Sequence, residues 1–459
     1  MEEFLAMFRR ILVANRGEIA ARVIRACREL GVQAVAVYSE ADAHVSYLKE
    51  AHQAVCIGKG PARFSYLNQD MLLDVATQTD CEAVHPGYGF LSENALFATR
   101  CDQQKLTFIG PKPLQLRLMG DKAMARETMQ GAGLPVMPGS KQVLSSLDEA
   151  KERAREIGFP VLLKATAGGG GKGMRLVSSL SEMESKYIEA TAEAEQGFSN
   201  PGLYLEKYIV NARHIEFQVL ADTYGRVICL GERECSIQRN HQKLLEEAPA
   251  FDMTVSKRME MIQKITWSLE QIGYQGAGTL EFLQDSTGQL YFMEMNTRIQ
   301  VEHPVTELVT GVDLVAWQIR IAAGEKLMLN QSDVTLKGAA IECRLNAEDP
   351  ANEFRPSPGQ ITTWNAPENS PSGPVRLDSH VEAGYQIPPY YDSMLGKLIV
   401  WGEDRAIAVV RLQKALAEFQ IGGVKNTLEL QRAIVHDPRF VQGAYHCGFL
   451  QEMKWPKST

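Results

Sequence analysis

The sequence predicts an α/β protein (α+β overall) built from three parts, and three observations carry that expectation. Over roughly the first 115 residues short apolar runs alternate with helical spacing, the signature of a parallel sheet flanked by helices. The middle holds a glycine loop between two strand-like runs and a hairpin bearing paired carboxylates. Past about residue 330 strand and turn signals dominate.

The elements follow in order. Arg10-Ile11-Leu12-Val13-Ala14 reads as a buried strand, and Asn15-Arg16-Gly17 as the turn after it. A helix from about Glu18 to Leu30 follows, because Ile19, Val23, Ala26, Cys27 and Leu30 recur at helical spacing. Val35–Tyr38 is a second strand, Ala83-Val84 leads into His85-Pro86-Gly87-Tyr88-Gly89, and Thr107-Phe108-Ile109 ends a further strand. Helical stretches near 121–131 and 147–157 precede Pro160-Val161-Leu162-Leu163-Lys164. Strands are expected at 174–177, 203–206, 214–220, 226–230 and in a hairpin over 278–296. Others follow at 338–344, 359–364, 374–377 and 397–401, and a helix near 405–418 closes the chain. Soft boundaries divide it into 1–118, 119–330 and 331–459.

At 459 residues the chain exceeds one ordinary core. With 45% hydrophobic and 23% charged residues its composition is that of a globular protein. The formal charge of −8 disfavours nucleic acid as the main partner, yet leaves room for a local basic pocket. No apolar run reaches the roughly eighteen residues of a membrane span. The start, Met1-Glu2-Glu3, has acid where a secretory signal has base. The eight cysteines are scattered without a CxxC pair, which fits reduced thiols in a cytoplasmic protein.

Gly168-Gly169-Gly170-Gly171-Lys172-Gly173 formally contains GxGxxG, but Met174-Arg175-Leu176-Val177 follows as a strand where the Rossmann fingerprint needs a helix. Nor is it a Walker A loop, since Gly173 follows Lys172 in place of Ser or Thr. Two readings fit: a lid over phosphates, which glycines let approach and move, or a surface hairpin with a flexible tip.

The hairpin is more informative. With its turn near Thr287-Gly288, Glu281 and Glu294 stand about opposite each other on neighbouring strands. Directly opposed Cβ atoms lie about 4.5–5.5 Å apart, and two such carboxylates repel unless cations lie between them. Asn296 shares the face of Glu294. Together they are hard oxygen ligands suited to Mg²⁺ or Mn²⁺. The alternation then runs on through Arg298, Gln300 and Glu302. If it stays extended, Glu302 lies about 20 Å from Asn296, at roughly 3.3 Å per residue, and serves something other than the same metals.

With these motifs in hand, the sequence resembles the ATP-grasp superfamily and, within it, biotin carboxylase. The resemblance rests on Asn15-Arg16-Gly17-Glu18-Ile19-Ala20, on His85 to Gly89 with Ser92-Glu93-Asn94, and on Lys164 with the 168–173 loop. It extends to Arg239-Asn240-His241-Gln242-Lys243 with Glu246-Glu247-Ala248-Pro249, to Glu294 through His303-Pro304, and to Ile341 through Pro350. It implies an N-terminal Rossmann-like domain that binds no dinucleotide, an ATP-grasp region with a lid over about 136–208, and a C-terminal domain. ATP would lie between lid and central sheet. Lys122 and Lys164 match phosphate-contacting lysines, Gly170 and Gly171 the lid, and Glu206, Lys207, Tyr208 and Ile209 the adenine segment. His214 and His241 match nucleotide-site histidines, and Glu281, Glu294 and Asn296 the metal ligands. Lys243, Arg298, Gln300, Val301, Glu302 and Arg344 match the bicarbonate and biotin pocket. One departure is Ala167, where many relatives carry a fifth glycine.

The resemblance implies that Glu302 deprotonates bicarbonate, which attacks the γ-phosphate of ATP to give carboxyphosphate. Released phosphate then serves as base for biotin N1, and Arg298 and Arg344 steady the developing charges. Cations beside Glu302 should depress its pKa, so it acts through positioning more than basicity. Other residues have plainer readings: His85 and His303 as turn or packing residues, Glu93 as a helix cap, Lys122 as solvated or at a phosphate-binding helix start. Glu452-Met453-Lys454-Trp455 does not match the Ala-Met-Lys-Met biotinylation type, so a separate biotin carboxyl carrier protein and carboxyltransferase chains are expected partners. The resemblance also implies a homodimer. An ATP-grasp ligase joining an acyl phosphate to an amine would share Glu281, Glu294 and the lid, but would not call for Lys243, Arg298 to Glu302 and Arg344 together.

Overall fold

The computed structural model describes residues 7–140, 142–165, 174–198, 200–367 and 375–454. The glycine loop, with Gly170 and Gly171, lies outside the described residues.

The N-terminal part is a five-stranded parallel sheet in the order Gln53–Cys56, Gln33–Tyr38, Arg10–Val13, Ala83–His85, Thr107–Phe108. Chain order reverses between Arg10–Val13 and Ala83–His85, so the crevice at their carboxyl ends is where such sheets present functional groups. Gly17, at φ +70°, turns the chain there from strand into the helix Gly17–Glu29. Ile19, Val23, Ala26 and Cys27 are buried on that helix, as their spacing predicts.

The larger sheet has eight strands. Their order is Leu290–Asn296, Gly276–Gln284, Arg213–Ala221, Val227–Arg239, Gln242–Ala248, Ala339–Asn346, Met394–Gly402, Val375–Ser379, with every neighbour antiparallel. It continues across residue 330, because Gln242–Ala248 pairs with Ala339–Asn346 and sets Glu246 opposite Glu342. The strand expected at 226–230 runs on to Arg239, and Gln242–Ala248 is a strand that the sequence pattern does not predict. Its polar residues lie beside partners supplied by other elements, Lys243 beside Glu216 and Glu302, Glu246 beside Arg344 and Glu247 beside Arg405, which removes the apolar pattern that marks a buried strand.

A three-stranded antiparallel unit, Met174–Val177, Val161–Ala165 and Leu203–Lys207, stands apart from this sheet. The glycine segment therefore joins antiparallel neighbours, and the helix of a dinucleotide fingerprint is not there. Helices Leu147–Ile157 and Met183–Phe198 pack on it around Ala150, Ala154, Val161 and Leu163. The helix Arg405–Glu418 does not close the chain: Leu428–His436 and the short Pro438–Val441 and Phe449–Glu452 follow, buried with Leu412 and Leu416.

The hairpin over 276–296 forms for a local reason. Asp285 accepts hydrogen bonds from Thr287 N (2.9 Å), Thr287 Oγ1 (2.6 Å) and Gln289 N (3.0 Å), pinning the turn. Its register sets Glu281 directly opposite Glu294, with a bulge just after Glu281.

Candidate active site

One ammonium sits at the centre. Lys243, on Gln242–Ala248, places Nζ 2.5 Å from Glu216 Oε2, 3.0 Å from Glu281 Oε1 and 2.6 Å from Glu302 Oε1. Burial alone would discharge it, but these three carboxylates outweigh burial and hold its pKa well above the ordinary value. Glu302 accepts as well from Arg344 NH2 at 2.9 Å, and Arg344 Nε donates to Glu246 at 2.6 Å. Burial raises the Glu302 pKa, yet Lys243, Arg344 and Arg233 prevail and keep it well below the usual carboxylate range. The depression is the one expected, but of the two arginines expected beside Glu302 only Arg344 supplies it, with Lys243 and Arg233 in place of Arg298.

The polar alternation does not stay extended. The strand ends at Asn296, residues 297–302 form a loop, and Glu302 takes the N-cap position of the helix His303–Thr310, with Pro304 in its first turn. Gln300 thereby donates to Glu281 Oε1 at 2.7 Å, and Glu302 reaches the same lysine as Glu281. The 20 Å separation expected along a straight strand is thus wrong. The bend brings Gln300 and Asn296 together on Glu281 and turns Arg298 to Glu93 and Glu302 to Lys243, and Pro304 with the apolar spacing of Val305, Leu308 and Val309 was the overlooked helix signal.

Two residues that the sequence does not single out in these roles hold that bend. Arg233 is fully buried and donates to Glu216 (2.5 Å), Gln218 (2.7 Å), Thr306 (3.0 Å), Thr279 (3.1 Å) and Gln300 (2.7 Å). Glu216 links Arg233 to Lys243. The signal for Arg233 was a charge within a strand otherwise buried along its length, Val227–Arg239. Glu93 is not a helix cap; Asn94 caps Ala95–Gln103. Glu93 instead accepts from Thr297 N (2.9 Å), Thr297 Oγ1 (3.1 Å) and Arg298 Nε (2.9 Å). Arg298 also donates to Asn296 Oδ1 at 3.0 Å. Val301 presents its carbonyl to Lys397 at 2.7 Å.

Toward the three-stranded unit Lys122 and Lys164 are paired with acids, and Lys207 with carbonyls. Lys122 opens the helix Lys122–Gly131, is mostly exposed, and lies 2.8 Å from Glu294 Oε2. Lys164 pairs with Glu206, which also accepts from Arg126 at 3.0 Å. Lys207 donates to the Gly158 (2.8 Å) and Phe159 (3.0 Å) carbonyls, while Tyr208 N donates to Pro160 O. Tyr208 is exposed and Ile209 half-buried. His241 occupies the exposed turn after Arg239 at φ +67°, two residues before Lys243. His214 is buried with Nε2 3.2 Å from Glu281 Oε2. His85 and His303 are fully buried, with Nδ1 engaged by Gly87 N and Gln300 O respectively, in keeping with packing roles.

The donors fit a divalent cation. Glu281 and Glu294 face each other across the hairpin, Asn296 donates to Glu281 at 2.9 Å, and the Lys122 ammonium on Glu294 marks where positive charge is favoured. Burial raises the Glu281 pKa, but Lys243 and His214 hold it well below the ordinary carboxylate value, so it is ionised.

Comparisons with known proteins follow this layout along the chain. Residues 7–116 match the family described as biotin carboxylase, N-terminal domain; 121–330 match the carbamoyl-phosphate synthase L chain, ATP binding domain; and 342–452 match the biotin carboxylase C-terminal domain. The biotin carboxylase of Nostoc sp. is 54% identical over 447 residues, covering 97% of this chain and 99% of that one. The chain belongs to the biotin carboxylase family. It is accordingly an ATP-dependent ligase. A pyruvate carboxylase component from Methanothermobacter thermautotrophicus is 51% identical, covering 98% of this chain and 90% of that one. Among solved structures, the biotin carboxylase domain dimer of Hydrogenobacter thermophilus 2-oxoglutarate carboxylase, in complex with MgADP, ADP and bicarbonate, superposes with TM-score 0.89 at 50% identity, covering 97% and 98% of the two chains.

Proposed function

We propose that this chain carboxylates N1 of biotin on a biotin carboxyl carrier protein, using ATP and bicarbonate, as the first half-reaction of an acetyl-CoA (acyl-CoA) carboxylase that supplies malonyl-CoA for fatty acid synthesis. The observation that carries the chemistry is Glu302 held between Lys243 and Arg344. An ionised carboxylate fixed by two cations can accept the bicarbonate proton when positioning substitutes for basicity. Arg298 and Arg344 offer guanidinium forks to bicarbonate and to oxyanion charge on the biotin ureido group. Glu281, Glu294 and Asn296 would hold Mg²⁺ or Mn²⁺, which offsets charge on the transferring phosphoryl group. Lys122 and Lys164, released from Glu294 and Glu206, would face the phosphates, Glu206 to Ile209 the adenine, and His214 and His241 the rest of the nucleotide. Residues 1–118 then serve as the Rossmann-like part, 119–330 as the ATP-grasp part with its lid, and 331–459 as the C-terminal part.

A homodimer working with separate carrier and carboxyltransferase chains is the proposed assembly, and the dimeric Hydrogenobacter domain supports it. The proposed location is the cytoplasm. All eight cysteines are free, which fits a reducing compartment, and no helix among the described residues is long and apolar enough to cross a membrane. A second reading has the same chemistry serving a pyruvate or 2-oxoglutarate carboxylase, favoured by those relatives at 51% and 50% identity. The deciding experiment offers the chain biotinylated carriers from both kinds of complex with ATP and labelled bicarbonate. Label on an acyl-CoA carboxylase carrier supports the first reading, and label only on a 2-oxo-acid carboxylase carrier supports the second.

A further inference from the structure

Lys397 lies on Met394–Gly402 and is fully buried. Its Nζ donates to the Val301 carbonyl at 2.7 Å, stands 3.1 Å from Glu18 Oε1 and is 4.0 Å from Asp378 Oδ2. Glu18 comes from the first turn of Gly17–Glu29, and the same oxygen accepts from the Tyr88 hydroxyl. Three distant stretches therefore meet on one ammonium: the first helix, the last long strand and the 297–302 loop. A buried lysine is costly beside an apolar residue of similar volume, so what its ammonium holds is worth asking. Burial pushes its pKa down, but Glu18, Glu342 and Asp378 hold it above the ordinary value, so it remains a cation.

The contact made with the loop is specific. The Val301 carbonyl belongs to the peptide that joins Val301 to Glu302, so fixing it fixes the backbone from which the Glu302 side chain projects. Thr297 is held by Glu93 and Gln300 by Arg233, both from the N-terminal side of the hairpin, whereas Val301 is held from the C-terminal strand. We propose that Lys397, backed by Glu18, is a positioning residue for Glu302 that locks the Val301–Glu302 peptide and ties it to the Tyr88 loop. This rests on the role proposed above for Glu302. Lys397 touches no reacting atom; it sets where the base stands.

The test compares the full-length parent with Lys397→Met. Phosphate release with bicarbonate and free biotin is measured per ATP-binding site, counted by calorimetry. The expected kcat is lower by about 10²-fold, the cost of misplacing a reacting group by about an ångström, with ATP KM at its parental value. A residue that only stabilised the fold would change the number of ATP-binding sites and leave kcat per site unchanged, and that result overturns the proposal. Amide exchange over 297–303 is followed in parallel and should be faster in Lys397→Met; equal exchange also overturns it. If the parent shows no bicarbonate-dependent turnover, the reading of Glu302 fails, while exchange still decides whether Lys397 holds the loop. Should Lys397→Met not fold, Glu18→Gln takes its place. A lowered kcat at unchanged ATP KM supports the strut, and an unchanged kcat overturns it.

Discussion

Glu281 and Glu302 meet on one ammonium, with Lys243 Nζ 3.0 Å from the first and 2.6 Å from the second. One carboxylate faces Glu294 across the hairpin, and the other belongs to the residue at the N-cap position of the next helix. A change at either must be felt at the other through Lys243, because a shared buried charge cannot be satisfied independently at its two partners.

Glu302→Gln should cut bicarbonate-dependent phosphate release by about 10²–10⁴-fold, the usual range for losing a general base. ATP should still bind, but its Mg²⁺ dependence should shift, since Lys243 then leans toward Glu281. Calorimetry and phosphate release on one preparation test both parts. Parental phosphate release would falsify the role of Glu302 as base.

Glu294→Gln should raise the Mg²⁺ concentration needed for half-maximal turnover while leaving the fold intact. Glu294 is partly exposed and its one ion pair among the described residues is with Lys122, so little core energy depends on it. A Mg²⁺ titration of ATP turnover, with circular dichroism as control, reads this out; a parental titration curve removes Glu294 from the metal site.

Arg233→Met should destabilise the protein by about 3–5 kcal/mol, the range for breaking a buried charge network by removing one partner. All of its acceptors, from Glu216 to Gln300, are buried and would lose a donor together. Denaturant unfolding of variant and parent measures the difference, and a loss below about 1 kcal/mol would show the network to be dispensable.

The share of stability that rests on buried neutral histidines should fall as pH drops below about 6.5, where an unfolded histidine gains its proton, while Glu234 and Glu246, pushed up to about 7 by burial, act in the opposite sense. Burial, helped by the Arg22 charge, pushes His85 down to about 3, and burial with Arg16 does the same to His380. Because the folded pKa is the lower one, the stabilisation is complete above about 6.5 and is lost progressively as pH falls toward about 3. Each such histidine contributes a slope of about 1.4 kcal/mol per pH unit in that window. His85→Asn, which keeps an acceptor for Gly87 N, should remove its share of that slope between about pH 6.5 and 4.5 in unfolding experiments. An unchanged slope would place the proton on some other group.

What the sequence by itself determined was whatever depends on neighbours along the chain. The first helix was legible because Ile19, Val23, Ala26 and Cys27 repeat at helical spacing, and the Glu281–Glu294 opposition because Thr287-Gly288 locates the turn and a turn dictates its hairpin register. The strand after the glycine segment was legible in the same way. Only the tertiary structure decided that 297–302 bends, that Lys243 joins three carboxylates, and that Arg233, Glu93 and Lys397 hold the bend from separate elements. Alternating polar residues look identical in an extended strand and in a loop whose side chains scatter to different partners. The difference lies in charges contributed by residues far away in the chain: a buried carboxylate is stable only where a distant cation meets it, and local spacing carries no record of that cation.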